Sequence, residues 1–234
     1  MRAASRILIP LCLVLALFAA CSGGDISGPT QGNFPANASR PQPHEETFHG
    51  CPAGGDGGDQ VLNSFKNRID DGDNGQYMDV SLDALLGLTW PSSIERVHMD
   101  QWSSSDSRQV TQFEGVPVRT SGYIIGVKHE GTESTNCHAV DYRDFHMWLA
   151  ASPSATKDQS MVIEVTPRVR DVRPGWSTST LEGLVGQQVL IEGWTMLDEE
   201  HPEQIGQTRE TLWEIHPIMH IEVNQGGSWT SIDQ

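Results

Sequence analysis

From residue 108 onward the chain is a succession of β-type stretches, and this limits its fold more than any other feature of the 234 residues. Stretches 109–113, 116–128, 142–151, 161–166, 187–197 and 211–223 are rich in branched and aromatic residues, with turns bearing Gly, Pro or Asn between them. One helical stretch interrupts them, 177–185, with Leu181, Leu184 and Val185 on one side. The expectation is a mainly β domain over 108–224.

Within it, Val116-Pro117-Val118-Arg119-Thr120-Ser121-Gly122-Tyr123 and Gly186-Gln187-Gln188-Val189-Leu190-Ile191-Glu192-Gly193-Trp194 resemble the first and fourth strands of OB-fold barrels, where a glycine lets a long strand coil around the closing sheet. Three strands, a helix and two strands is the OB-fold order, so the resemblance implies a small OB-like β-barrel with one inserted helix. It implies architecture rather than activity. The segments Asp144-Phe145-His146-Met147-Trp148-Leu149, Glu164-Val165-Thr166-Pro167-Arg168 and Trp213-Glu214-Ile215-His216-Pro217 are similar to an uncharacterised group of exported bacterial proteins, to which no activity attaches.

Ahead of the barrel, residues 59–107 read as a short helical cover. Asp59 is placed to cap a helix whose Val61, Leu62, Phe65 and Ile69 share a face, and Leu82, Leu85 and Leu86 mark a second helix over 81–88. Between them Asp70-Asp71-Gly72-Asp73-Asn74-Gly75 invites a calcium reading. Aligned as an EF-hand loop from Asp71 it fails at Gly75, Gln76 and Leu82, which leaves a solvated turn.

The amino terminus reads as an address. Arg2 and Arg6 precede an apolar run over residues 7–20, which is shorter than the roughly 20 residues that span a bilayer. Phe18-Ala19-Ala20-Cys21 resembles the lipobox of bacterial lipoprotein precursors, with Phe18 standing where Leu is usual. The resemblance implies removal of signal peptide 1–20, lipidation at Cys21, membrane attachment through that lipid, and a place in the cell envelope on the exported, periplasmic or surface, side. Residues 21–58, rich in Gly, Pro, Ser and Asn, are expected as a flexible tether, and 225–234 as a flexible tail.

Cys12 leaves with the signal and Cys21 takes lipid, so Cys51 and Cys137 remain as a pair in an oxidising compartment. A disulfide between them would close about 85 residues and stabilise by about 4 kcal/mol in the chain-entropy model. Losing Arg2 and Arg6 leaves 13 basic residues against 31 acidic ones, a net charge of −18. A field of that sign repels polyphosphates, so nucleic acid is disfavoured as a partner.

Chemistry is suggested by polar residues inside apolar strands. Asp144 and His146 lie two apart and so share a strand face, as do Glu214 and His216. Glu164, Arg168, His201 and Arg209 could join them at the barrel mouth. Such a cluster could move a proton or hold a divalent metal, but paired buried charges also brace strand ends, and the bracing reading is preferred. No metal or other cofactor is expected on that reading.

Trp148, Trp176, Trp194 and Trp213 could stack on a ligand. No nucleophile elbow, phosphate loop or dinucleotide fingerprint is present. The function expected is a lipid-anchored envelope binding module for a neutral glycan, peptide or protein. A hydrolase using the Asp/His/Glu cluster, with or without a metal, comes second, and a purely structural component third.

Overall fold

The computed structural model of the protein describes residues 46–72 and 75–234. Its strands are β1 (Met78–Asp79), β2 (Pro117–His129), β3 (Phe145–Ala150), β4 (Ser160–Val165), β5 (Gln188–Leu197), β6 (Trp213–Gln225) and β7 (Ser228–Ser231). The helices are α1 (Gln60–Lys66), α2 (Leu82–Leu86), α3 (Ser104–Val110), α4 (Pro167–Asp171) and α5 (Thr178–Glu182). None of the described helices is long and apolar enough to cross a membrane.

Strand β2 closes the barrel by serving two partners in turn. Its first half runs antiparallel to β5, from Pro117 opposite Trp194 to Tyr123 opposite Gln188, and its second half antiparallel to β3, ending with His129 opposite Phe145. The changeover falls at Gly122, where a Cβ would lie 2.8 Å from the Ala150 carbonyl oxygen. β3 pairs with β4, β4 runs parallel to β6, and β6 returns to β5. The closed order β2-β3-β4-β6-β5, with α4 and α5 between the third and fourth barrel strands, is an OB-type barrel.

Alternation sends Val118, Ile124, Met147, Leu149, Ile163, Val165, Ile191, Trp213, Ile215 and Ile221 into one core. Yet β3 and β4 are buried at every position, so their outer faces are covered as well. The cover is residues 46–68 and the two long connections, 130–144 and 198–212. Asp59 caps α1 as the sequence indicates, its Oδ1 accepting from the Val61 and Leu62 amides. Asn67 of the same segment donates to the carbonyls of Ala53 and Thr135, which fastens it to the first connection. Cys51 and Cys137 fasten it again, with their sulfurs 2.04 Å apart.

Three expectations change. Stretch 109–113 is not a strand, because Ser103 accepts from the Asp106 amide and starts α3, which runs to Val110. The segment from 46 to 58 packs rather than hangs free, held by the disulfide and by Arg168, which donates to the carbonyls of Glu46, Cys51 and Pro52. The tail is paired: β7 forms a hairpin with β6, and the Asp233 carboxylate is bonded to His220 and to the Ile221 amide. The signal, the lipobox and the tether up to residue 45 lie outside the described residues, as do Asp73 and Asn74 of the acidic turn.

Candidate functional site

The polar cluster forms on the outer wall of the barrel rather than at its mouth. Register produces it: His146 lies opposite Glu164, and Val162 opposite Glu214 across the parallel pair, which sets Glu164 next to His216 two residues further on. Because 145, 147 and 149 face the core, 146 and 148 face outward, and the same alternation turns 164, 214 and 216 away from it. The 130–144 and 198–212 connections fold over this wall and leave a cleft of about 690 Å³.

The cleft floor carries a chain of charge-assisted bonds. His146 Nδ1 lies 3.1 Å from Glu164 Oε1 and 3.2 Å from Glu130 Oε1, and Lys128 donates to the Glu130 carboxylate. Arg209, 2 % exposed, reaches Asp198 at 2.8 Å and Glu214 at 2.7 Å through Nη1. His201 Nδ1 donates to Asp198 at 2.8 Å, and Lys66 lies 3.4 Å from Glu200. Trp148 Nε1 donates to the Thr208 carbonyl, and the Lys157 ammonium sits 3.3 Å from the centroid of the Trp148 ring.

Below this layer lie Asp144 and His216. Asn136 Nδ2 donates to Asp144 Oδ1, and His216 Nδ1 is 3.4 Å from Glu214 Oε2. His216 Nε2 and Asp144 Oδ2 are buried 3.8 Å apart, and neither has a hydrogen-bond partner. Two groups could hold a metal by proximity, Asp144 with Glu164 and His216, and Asp198 with Glu200 and His201.

Burial and like charge set the protonation states. Burial pushes the Asp144 carboxyl up to about 6, with Glu164 adding to the effect and His216 opposing it. Burial likewise pushes Glu133 up to about 7, reinforced by Asp144 and Glu164. For Glu164 burial also opposes charge, but His216 and His146 outweigh it and hold the carboxyl well below the ordinary range. Burial disfavours charge on His146, yet bonds to Glu130 and Glu164 raise it to about 9.

Of the eight polar residues singled out from the sequence, seven converge on this wall: Asp144, His146, Glu164, His201, Arg209, Glu214 and His216. Arg168 does not join them. Its guanidinium turns to the backbone of residues 46–52 and to the Phe48 ring. Of the four tryptophans only Trp148 lines the cleft, while Trp176, Trp194 and Trp213 are at most 2 % exposed and pack in the core. Sequence reasoning missed Lys66, Glu130, Glu133, Asn136, Lys157 and Asp198. The run Asp198-Glu199-Glu200-His201 straight after a buried strand was the readable signal for the last of these.

The sequence matches no family model and no curated protein. Among solved structures it is similar to a chain in the crystal structure of yeast Stn1 and Ten1, at 10% identity and a TM-score of 0.37, covering 77% of this chain and 76% of that one. None of these comparisons supports the lipid-anchored envelope module for glycan, peptide or protein or its hydrolase alternative, and both are withdrawn together with the exclusion of nucleic acid. A likeness this distant assigns no ligand to the chain. The physical fault in the exclusion is that net charge is a property of the whole surface, while a partner meets one face of it.

Proposed function

We propose that the barrel is a binding module whose ligand seat is the cleft under the 130–144 and 198–212 connections, and that the ligand presents a cationic hydrogen-bond donor such as an amine. In OB folds the corresponding sheet face and loops are where ligands lie. The observation that carries the charge of the ligand is an imbalance. Seven carboxylates line the cleft against four permanent cations. Lys66, Lys128 and Arg209 are already committed to carboxylates, and Lys157 to Trp148. Burial pushes the Glu133 carboxyl up to about 7, with its acidic neighbours Asp144 and Glu164 pushing the same way, so an arriving cation relieves a repulsion.

The test is a backbone and indole NMR titration of the purified protein with spermidine, with a single-stranded oligonucleotide and with inorganic phosphate. Spermidine should move the Trp148 indole signal and the amides around Glu133 and His201 to saturation, and Glu133→Gln should weaken it. Saturation of the same signals by the oligonucleotide or phosphate, with spermidine inert, would reject the cationic ligand and make the Trp148–Lys157 stack an anion platform.

Where the protein works is a separate matter. We propose export through the amino-terminal signal, with acylation at Cys21; support comes from the cysteine pair, since a disulfide persists in an oxidising compartment. Palmitate labelling that is lost in Cys21→Ala would agree, and labelling that persists in that variant would reject acylation at Cys21.

A further inference from the structure

We propose that Asp144, Glu164 and His216 form a binding site for one divalent transition-metal ion at the floor of the cleft, with Glu164 shared between the site and the cleft lining. Each offers a donor atom within 4.8 Å of the others. Carboxylates in proximity would not make a site alone. The second observation is the pair of buried atoms with nothing to bond to: His216 Nε2 in a residue 2 % exposed, and Asp144 Oδ2 in one 1 % exposed. They face each other at 3.8 Å, too far for a hydrogen bond. Two metal–ligand bonds of about 2.1 Å each span such a gap.

The groups behind these donors are oriented as a metal requires. His216 uses its other nitrogen toward Glu214, at 3.4 Å, which leaves Nε2 as the lone-pair atom. Glu214 is itself fixed by Arg209 at 2.7 Å. Asn136 holds Asp144 Oδ1 and so leaves Oδ2 toward His216 Nε2, while His146 holds Glu164 Oε1 and leaves Oε2 at the edge of the same ring, 3.7 Å from Nδ1. The ligand set of one imidazole and two carboxylates suits zinc, cobalt or manganese better than calcium, which takes oxygen alone. Glu214 and Arg209 are positioning residues in this arrangement, not ligands.

The alternative occupant is a proton shared within the cluster, and one experiment separates the two. Purified protein, stripped with chelator, is titrated with Zn²⁺ by calorimetry and with Co²⁺ by visible absorption, and His216 is followed by its ring ¹⁵N shifts. The expected result is one ion per chain, a large Zn²⁺-dependent shift at His216 Nε2 with none at His201, and a loss of affinity of about 10-fold or more in Asp144→Asn. That variant keeps the acceptor for Asn136. Should it fail to fold, the His216 shift in the unaltered protein decides alone. Absence of Zn²⁺ binding, or binding that moves His201 and leaves His216 in place, overturns the proposal.

Discussion

Asn136 donates to Asp144 at 2.9 Å from the residue next to Cys137, so the position of a buried carboxylate depends on a turn that a disulfide pins. Cys51→Ala with Cys137→Ala should therefore do two things. Stability falls by about 4 kcal/mol in the chain-entropy model, since the bridge closes a separation of 86 residues. The Asn136 side-chain amide signals should also broaden or move, because the turn loses its anchor. Urea unfolding and side-chain NMR of the double variant check both parts.

Arg209 bridges Asp198 and Glu214 with one nitrogen while almost wholly buried. Arg209→Met removes the shared cation and leaves both carboxylates without it, which should cost about 3–5 kcal/mol. Replacing all three with apolar residues of similar volume should recover most of that loss. A triple variant as unstable as the single one would show that the network contributes more than mutual neutralisation.

A pH-dependent clasp holds the carboxyl terminus. His220 lies 2.7 Å from Asp233 and 2.8 Å from Asp71, with Arg173, Tyr77 and Glu192 also facing it. The Asp233 bond raises its pKa above the ordinary value, against burial and with further help from Asp71. Its contribution is complete below about pH 6.5, the unfolded imidazole value, and is lost as pH rises through the higher folded one. Asp71 and Asp233 are held below their ordinary range against the effect of burial, so their share is present above about pH 4 and fades as pH falls through the lower folded values. The difference in unfolding free energy between the native protein and His220→Asn should shrink from pH 5.5 to pH 8.5. A constant difference over that range would show that the imidazolium is not what holds the tail.

Gly193 sits at the bulge where β5 passes Pro217 of β6, and a Cβ there would lie 2.6 Å from the Pro217 carbonyl oxygen. Backbone cannot step aside as a side chain can. Gly193→Ala should cost about 1–3 kcal/mol, whereas Gly131→Ala, with open space around it, should stay within about 0.5 kcal/mol. Thermal melts of both variants are sufficient.

The barrel was legible because its signals are local. Strand-length apolar stretches, the glycines at 122 and 193 and the cap at Asp59 each act within a few residues, and the structure uses them as read. The cluster was half legible. A two-residue spacing puts Asp144 with His146 and Glu214 with His216 on common faces, but it cannot say whether that face is the core, the mouth or the outer wall. The answer depends on the chain from 46 to 68 lying over β3 and β4. Arg168 was misjudged for the same reason, since its partners are carbonyls about 117 residues earlier in sequence. The charge argument reached too far, because a net value for the whole chain describes the field at long range and not the one face that a partner meets.

The cover over the outer wall also sets which charges are kept from water. Lys66 meets Glu200 across 134 residues and Arg168 meets Cys51 across 117, while the barrel strands before β6 pair with nearer neighbours. The core of the barrel is closed by pairs among β2 to β6, whereas the outer wall owes its burial to this cover. Local release of residues 46–68 is therefore expected to return the carboxylates and histidines of the wall to water while the barrel stays closed.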